Sequence, residues 1–139
     1  MKAILDCNIW ISFLIGHQAE WMGRFLTDTR FEVYVCDELL NEIHDVCSRP
    51  KIRSRINDEE LDDFFRIIYA FCHVAKIEGD AQSDIRDPKD LYLLSLAEAV
   101  GADYIVSGDA DLLALQQHKT TRMMTLANFK ALAMNDAVN

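Results

Sequence analysis

The chain has 139 residues, half of them apolar, and carries a formal net charge of −9. This length fits one domain, and the apolar content is too high for a disordered chain. No apolar run reaches the roughly 20 residues of a membrane span, and Asp6 interrupts the N-terminus too early for a signal peptide. We therefore expect an intracellular, cytoplasmic protein.

Apolar periodicity and helix-boundary residues predict alternating strands and helices. Asn57 or Asp58 should cap one helix, Asp87 and Pro88 should start another, and Gly101 should stop it. In chain order the pattern predicts a strand at 2–5, helices at 9–15 and 21–28, a strand at 31–36, helices at 38–47 and 59–71, a strand at 73–77, a helix at 88–100, a strand at 104–106, a helix at 111–115, a strand at 121–125 and a helix at 126–134.

This alternation predicts an α/β fold, because short apolar strands separated by helices form a parallel sheet that helices cover on both sides. We expect a three-layer α/β/α sandwich with a central parallel sheet of about five strands. Residues 1–134 should form a single domain, and residues 135–139 should be a frayed C-terminal tail.

The four cysteines and four histidines are scattered along the chain. No Cys-x-x-Cys pair, His-x-x-x-His pair or Ser-His-Asp pattern is present, which argues against a zinc site or a nucleophilic triad. We expect the cysteines to be free thiols that pack as small apolar side chains.

Four acidic residues are placed to meet at one edge of the predicted sheet. Asp6 and Asp109 follow predicted strands, and ligands of open α/β sheets bind beyond the carboxyl ends of the strands. Asp90 lies in the first turn of a helix that starts at the same edge. Glu42 borders the buried face of the helix at 38–47.

Four unneutralised carboxylates would repel one another in a cleft, and a divalent cation would remove that repulsion. All-oxygen ligands favour Mg²⁺ or Mn²⁺ over Zn²⁺, and such sites hydrolyse phosphodiesters. Each acid also has a simpler explanation. Asp6 and Asp109 could cap the following helices, Asp90 could belong to a helix start, and Glu42 could be an ordinary solvated glutamate.

The net charge of −9 counts against a nucleic-acid substrate at first sight. A local basic cluster could nevertheless bind nucleic acid. Pro50 is expected to end the helix at 38–47, and the cluster around it could hold RNA phosphates or could be a solvated loop. Its members are Arg49, Lys51, Arg53 and Arg55.

Four stretches of the chain, in this order, resemble the motifs of the PIN-domain family. They are ILDCNIWI at 4–11, LLNEI at 39–43, DPKDLYLLSLA at 87–97 and GADYIVSGDADLL at 101–113. The overall pattern is most similar to bacterial or archaeal VapC-like PIN proteins, the toxins of toxin–antitoxin pairs. Cys7 is a departure, because Thr is common there, but the Asp and Asn of that motif are intact.

The resemblance implies a metal-dependent endoribonuclease. Asp6, Glu42, Asp90 and Asp109 would be the catalytic carboxylates that bind Mg²⁺ or Mn²⁺, with Asp111 as a further candidate ligand. Asn8 and Ser107 would orient the acids by hydrogen bonds. The family often forms homodimers, and its toxin members bind an antitoxin protein that blocks the site.

Competing interpretations differ in the chemistry that they require. A catalytically silent PIN-fold module would bind RNA or a protein, although such copies usually lose one acid. A haloacid-dehalogenase-like phosphohydrolase would need Asp-x-Asp where this chain has Asp6-Cys7-Asn8. A receiver domain would need adjacent acids after the first strand and a lysine after the last, and neither is evident.

Overall fold

A computed structural model describes residues 1–138, with side chains through Met134. The elements in chain order are β1 (Lys2–Leu5), α1 (Cys7–Ile15), α2 (Ala19–Leu26), β2 (Glu32–Val35), α3 (Asp37–Ser48), α4 (Pro50–Arg53), α5 (Asp58–Phe71), β3 (His73–Val74), α6 (Pro88–Val100), β4 (Tyr104–Val106), α7 (Ala110–Leu115), β5 (Gln117–His118), β6 (Thr121–Met124) and α8 (Leu126–Val138).

The strands form one sheet in the order β3-β2-β1-β4-β6-β5. All neighbouring strands are parallel except β5 and β6, which are antiparallel. The predicted α/β class is therefore confirmed, whereas the expected five-stranded parallel sheet was incomplete. The sixth strand, β5, arises because the chain reverses at Lys119, whose φ is 52°. This turn brings Gln117 opposite Arg122.

The centre of the sheet is covered on both sides. Ala3, Ile4 and Leu5 of β1 are all fully buried, and successive side chains of a strand point to opposite faces. In the core, the Trp10 side chain of α1 packs edge-on against the rings of Phe13 and Phe64. This covered sheet is the three-layer arrangement predicted from the alternation of elements.

Several helix boundaries are those that the sequence predicts. Asn57 caps α5 through a capping box with Glu60. The Asp87 side chain caps α6, Pro88 is its first residue, and Gly101 ends it in the left-handed conformation. These caps fix where α6 begins, and therefore where Asp90 lies.

Other boundaries differ from the prediction. Pro50 ends the preceding helix as predicted, since α3 stops at Ser48, but Pro50 also begins the short helix α4, which was not predicted. The strand predicted at 73–77 is only the two-residue β3. Helix α8 continues to Val138, beyond the predicted end at Met134. The side chains of residues 135–138 and all of Asn139 lie outside the described residues, so the frayed tail stays a prediction.

The four cysteines are free and buried, as predicted. Burial raises the pKa of the Cys72 thiol to about 12, so that it stays a neutral apolar group at physiological pH. Within residues 1–138, none of the helices combines the length and the apolar character needed to cross a membrane.

Candidate metal and nuclease site

Asp6 and Asp109 leave the sheet at the same edge. Asp6 follows β1 and Asp109 follows β4, and these two strands are parallel neighbours with Leu5 opposite Val106. The Asp6 amide donates a hydrogen bond to the Val106 carbonyl over 2.9 Å, which extends the pairing of the strands to the acid itself. The two strand-end acids are therefore brought together, as the topology of a parallel sheet requires.

Ser107 connects the two acids. Its side chain is fully buried, and its Oγ donates a hydrogen bond to Asp6 Oδ2 over 2.7 Å. The same Oγ accepts a hydrogen bond from the Asp109 amide over 3.0 Å. This is the contact that the predicted orienting role of Ser107 requires. The role itself stays a prediction.

Asp109 is also a helix cap, in agreement with its simpler explanation. Its Oδ1 accepts hydrogen bonds from the amides of Asp111 and Leu112 over 2.9 and 3.1 Å. Its Oδ2 accepts no hydrogen bond from the described side chains, those of residues 1–134, or from the described backbone. Capping thus uses one oxygen of the carboxylate and leaves the other for a ligand.

Asp90 does not serve as a helix cap. Asp87 fills that position, because its Oδ1 accepts the Lys89 amide over 3.0 Å. The Asp90 side chain is 6% exposed, and within the described chain its carboxylate has no hydrogen bond and no ion pair. Burial, followed by repulsion from Asp109 and other nearby acids, raises its pKa to about 6. A buried carboxylate without a counter-charge indicates a site for a cation.

Asp6 shares this environment. Burial raises its pKa, and the charge of Asp109 adds to the effect. The hydrogen bond from Ser107 acts in the opposite direction because it favours the charged carboxylate. Asp6, Asp90 and Asp109 therefore form one electrostatically coupled group, which we call the three-aspartate group.

Glu42 adjoins the three-aspartate group without joining it. The Tyr92 hydroxyl donates a short hydrogen bond to Glu42 Oε2, and Lys89 Nζ lies 3.8 Å from Oε1. Glu42 is not among the largest causes of the raised pKa of Asp6 or Asp90. It does contribute to the raised pKa of the Cys7 thiol, next to Asp6. Glu42 thus borders the site but is held by partners of its own.

The remaining predicted site residues lie at the surface. Asn8 is exposed in the first turn of α1, and its side chain forms no hydrogen bond in the part of the chain whose side chains are described. Asp111 is exposed in α7, and its charge contributes to the raised pKa of Asp90. The orienting role of Asn8 and the ligand role of Asp111 stay predictions.

The basic cluster is not the simple loop that the sequence offered as one alternative. Helix α4 forms within it, and two of its four cations have acidic partners. Arg49 pairs with Asp45 over 3.1 Å, and Arg53 pairs with Asp58. These pairs lower the positive charge available to a phosphate, while Lys51 and Arg55 remain exposed.

The three aspartates offer only carboxylate oxygens as ligands, and no described lysine or arginine pairs with them. This donor set fits a hard divalent cation. Among the side chains that the structure describes, those of residues 1–134, no three acidic, histidine or cysteine groups stand close enough to hold an ion as placed. The repulsion that raises the pKa of Asp90 also favours separated carboxylates when no counter-charge is present. Side-chain rotation would have to bring the oxygens together on an ion.

Sequence reasoning missed Lys89 and Tyr92 as neighbours of Glu42. Tyr92 is separated from Glu42 by fifty positions, and its place in an apolar stretch made it resemble a core residue. The available signal was that both residues lie on the same helix as Asp90, one position before it and two after it.

Comparison with known proteins shows the family. Residues 2–111 match the PIN domain, so the chain belongs to the PIN-domain family, whose members are generally nucleases that use divalent metals. Among solved structures, the chain is similar to VapBC2 from Rickettsia felis bound to a DNA fragment from their promoter. The identity is 15%, the TM-score is 0.59, and the match covers 90% of this chain and 98% of the other. No match is found among curated proteins.

Proposed function

We propose that this chain is a metal-dependent endoribonuclease whose described residues form one PIN domain. The observation that carries the proposal is the three-aspartate group. Ser107 joins Asp6 to Asp109, and among the described side chains the buried Asp90 carboxylate has no cationic partner. Three acids arranged in this way destabilise the folded chain unless a cation compensates, which is the arrangement expected of a binding site rather than of a packed core.

Asp6, Asp90 and Asp109 would hold Mg²⁺ or Mn²⁺, with Glu42 and Asp111 as further oxygen donors. When bound, such an ion supplies an activated water and stabilises the negative charge that develops on the phosphate. Ser107 keeps Asp6 in one orientation, and the capping bonds keep Asp109 in place. RNA as the substrate rests on the motif resemblance, and an RNA substrate would place the activity in the cytoplasm.

The proposal predicts that Asp6→Asn and Asp90→Asn each lower the rate of RNA cleavage in Mn²⁺ by at least about 100-fold, because each removes a charged ligand. The assay follows degradation of several single-stranded and structured RNAs. Asp62→Asn is the matched control, since Asp62 is exposed on α5 and should leave the rate unchanged. Full activity in both site variants would mean that the site is misassigned.

We further propose that the protein is the toxin of a toxin–antitoxin pair, that it forms a homodimer and that an antitoxin protein is its partner. The motif resemblance and the shared fold with VapBC2 support this part. Expression of the wild-type chain alone should arrest growth of a bacterial host, whereas Asp90→Asn should not. Normal growth with the wild-type chain would remove the toxin role but not the nuclease.

One observation favours a second candidate function, a PIN-fold module that binds RNA or a partner without cutting. Glu42 is held by Tyr92 and Lys89, away from the three aspartates. A silent module would bind no Mn²⁺ and would cleave no RNA, while Asp90→Asn would leave its binding of RNA or partner intact.

A further inference from the structure

Lys89 has an unusual position beside the acidic site. It is the second residue of α6, directly before Asp90, and its Nζ lies 3.8 Å from Glu42 Oε1. Among residues 1–138 it is the one lysine or arginine that pairs with any of the four predicted carboxylates. The other oxygen of Glu42 accepts the Tyr92 hydroxyl. Lys89 therefore supplies the positive charge at an edge that is otherwise acidic.

The pair between Lys89 and Glu42 is easily broken. Its separation is near the upper limit for an ion pair, and the Lys89 side chain is 61% exposed. Water screens such a pair, and the flexible lysine stem loses rotational freedom while it stays in one place. The Tyr92–Glu42 hydrogen bond is partly buried and therefore less screened by water, so it is the firmer of the two contacts. The ammonium can therefore leave Glu42 while Tyr92 stays.

A phosphodiester that approaches this edge meets mainly negative charge. The acids repel its oxygens, and an ammonium group that donates to a phosphate oxygen would offset part of that repulsion. Lys89 is exposed, cationic and adjacent to Asp90, so it can reach a phosphate without any movement of the helix backbone.

Building on the proposed nuclease function, we propose that Lys89 is an exchangeable cation. In the free protein it pairs with Glu42, and in the complex it donates to a phosphate oxygen of the RNA strand. The exchange frees Glu42 Oε1 when substrate arrives. Lys89 thus positions the substrate and also keeps Glu42 from the three-aspartate group until then.

The other end of the same helix offers a matched control. Lys119 pairs with Glu98 of α6 and is 67% exposed, close to the exposure of Lys89. It lies in the turn between β5 and β6, beside the amino end of β6 and so at the sheet edge opposite Asp6 and Asp109. Lys119→Gln removes the same charge from a similar pair far from the acids.

The test compares wild type, Lys89→Gln, Lys89→Arg and Lys119→Gln in two assays. The first measures kcat and KM for cleavage of a single-stranded RNA in Mn²⁺ at several salt concentrations. We expect Lys89→Gln to raise KM about fivefold and to lower the slope of log(kcat/KM) against log[salt] by about 0.7, the loss of one phosphate contact on a single strand. Lys89→Arg should retain most of the slope, and Lys119→Gln should match wild type.

The second assay measures Mn²⁺ affinity without RNA, by the electron paramagnetic resonance signal of free Mn²⁺. Lys89→Gln should bind Mn²⁺ about threefold more tightly than wild type, because the variant loses a nearby positive charge and frees Glu42. A lysine with a merely structural role would give weaker metal binding when removed. Circular dichroism of each variant checks that the fold is retained.

The two proposals fail in different ways. If wild type binds Mn²⁺ and cleaves RNA but Lys89→Gln behaves like Lys119→Gln in both assays, the exchange is wrong and the nuclease stands. Weaker Mn²⁺ binding by Lys89→Gln would also overturn the exchange. If wild type neither binds Mn²⁺ nor cleaves RNA, the proposed function falls and the exchange falls with it.

Discussion

At the scale of single residues, the site depends on charges that the fold brings together at some energetic cost. Among the described side chains, Asp90 is buried without a cationic partner, and Asp6 accepts a hydrogen bond from the Ser107 hydroxyl. Such groups lower the stability of the metal-free protein, because burial and repulsion disfavour the ionised form. A cation bound by the carboxylates would offset this loss of stability.

The raised pKa of Asp90 predicts how stability changes with pH. Its pKa is about 6 in the folded chain, above the ordinary value of 3.8. The protonated form thus favours folding, an advantage fully present below about pH 4 and lost as the pH rises through 6. In EDTA at pH 7.5, Asp90→Asn should be more stable than wild type by about 1–2 kcal/mol.

Urea unfolding at pH 4 and pH 7.5 measures this effect, with Asp62→Asn as an exposed control. The difference between Asp90→Asn and wild type should be large at pH 7.5 and nearly absent at pH 4. If the two proteins differed in unfolding free energy by the same amount at both pH values, ionisation of Asp90 would not be what destabilises the wild-type chain.

Some site residues were predictable from the chain and others were not. Asp6 and Asp109 directly follow apolar strands, so the sheet topology alone places them at one edge. The Tyr92 contact with Glu42 depends on how α3 and α6 pack, and local pattern contains no information about it. In the basic cluster, Arg49 pairs with Asp45 at the local i, i+4 spacing of α3, whereas the pair of Arg53 with Asp58 depends on the unpredicted helix α4.

At the scale of elements, caps fix the position of the site. Gly101 ends α6 with φ 67° and ψ 47°, a conformation that strains residues with a Cβ atom. That end leads directly into β4 and so into Ser107 and Asp109. The position of α6 relative to β4 therefore depends on this glycine.

The substitutions Gly101→Ala and Gly23→Ala distinguish backbone strain at a positive φ from a lack of space for the added Cβ atom. Neither Gly101 nor Gly23 has any atom within 4 Å of an added Cβ, and only Gly101 has a positive φ. Gly101→Ala should destabilise the chain by about 1 kcal/mol. Gly23→Ala, within α2, should stabilise it by up to about 1 kcal/mol. Thermal unfolding of both variants measures the pair, and equal effects on both would refute the role of the left-handed cap.

The longer helices and the short apolar strands β1 and β4 were predicted well, whereas β5 and α4 were not predicted. Helices α5 and α6 have an apolar face or strong caps, so sequence defines them. Strand β5 has two polar residues and exists only because a turn pairs it with β6. Helix α4 is a single turn after Pro50. Elements this small are decided by tertiary contacts rather than by their own composition.

At the scale of the whole molecule, a net charge of −9 would repel the proposed RNA substrate. This repulsion is smaller if a divalent cation neutralises the part of the charge that belongs to the three-aspartate group. The order of the strands follows from no local signal, yet the alternation of strands and helices was enough to predict the covered sheet and the shared edge. The architecture was therefore more predictable than the side-chain contacts at its edge.

Metal binding by the three-aspartate group is the property on which the proposed nuclease function depends most directly. Mn²⁺ at about 100 times its Kd should stabilise the wild-type chain by about 2.7 kcal/mol and raise Tm by roughly 8 °C, as measured by thermal unfolding at pH 7.5. Asp62→Asn should show the same rise, whereas Asp90→Asn should show almost none. An unchanged Tm for wild type, or an equal rise for Asp90→Asn, would contradict the account.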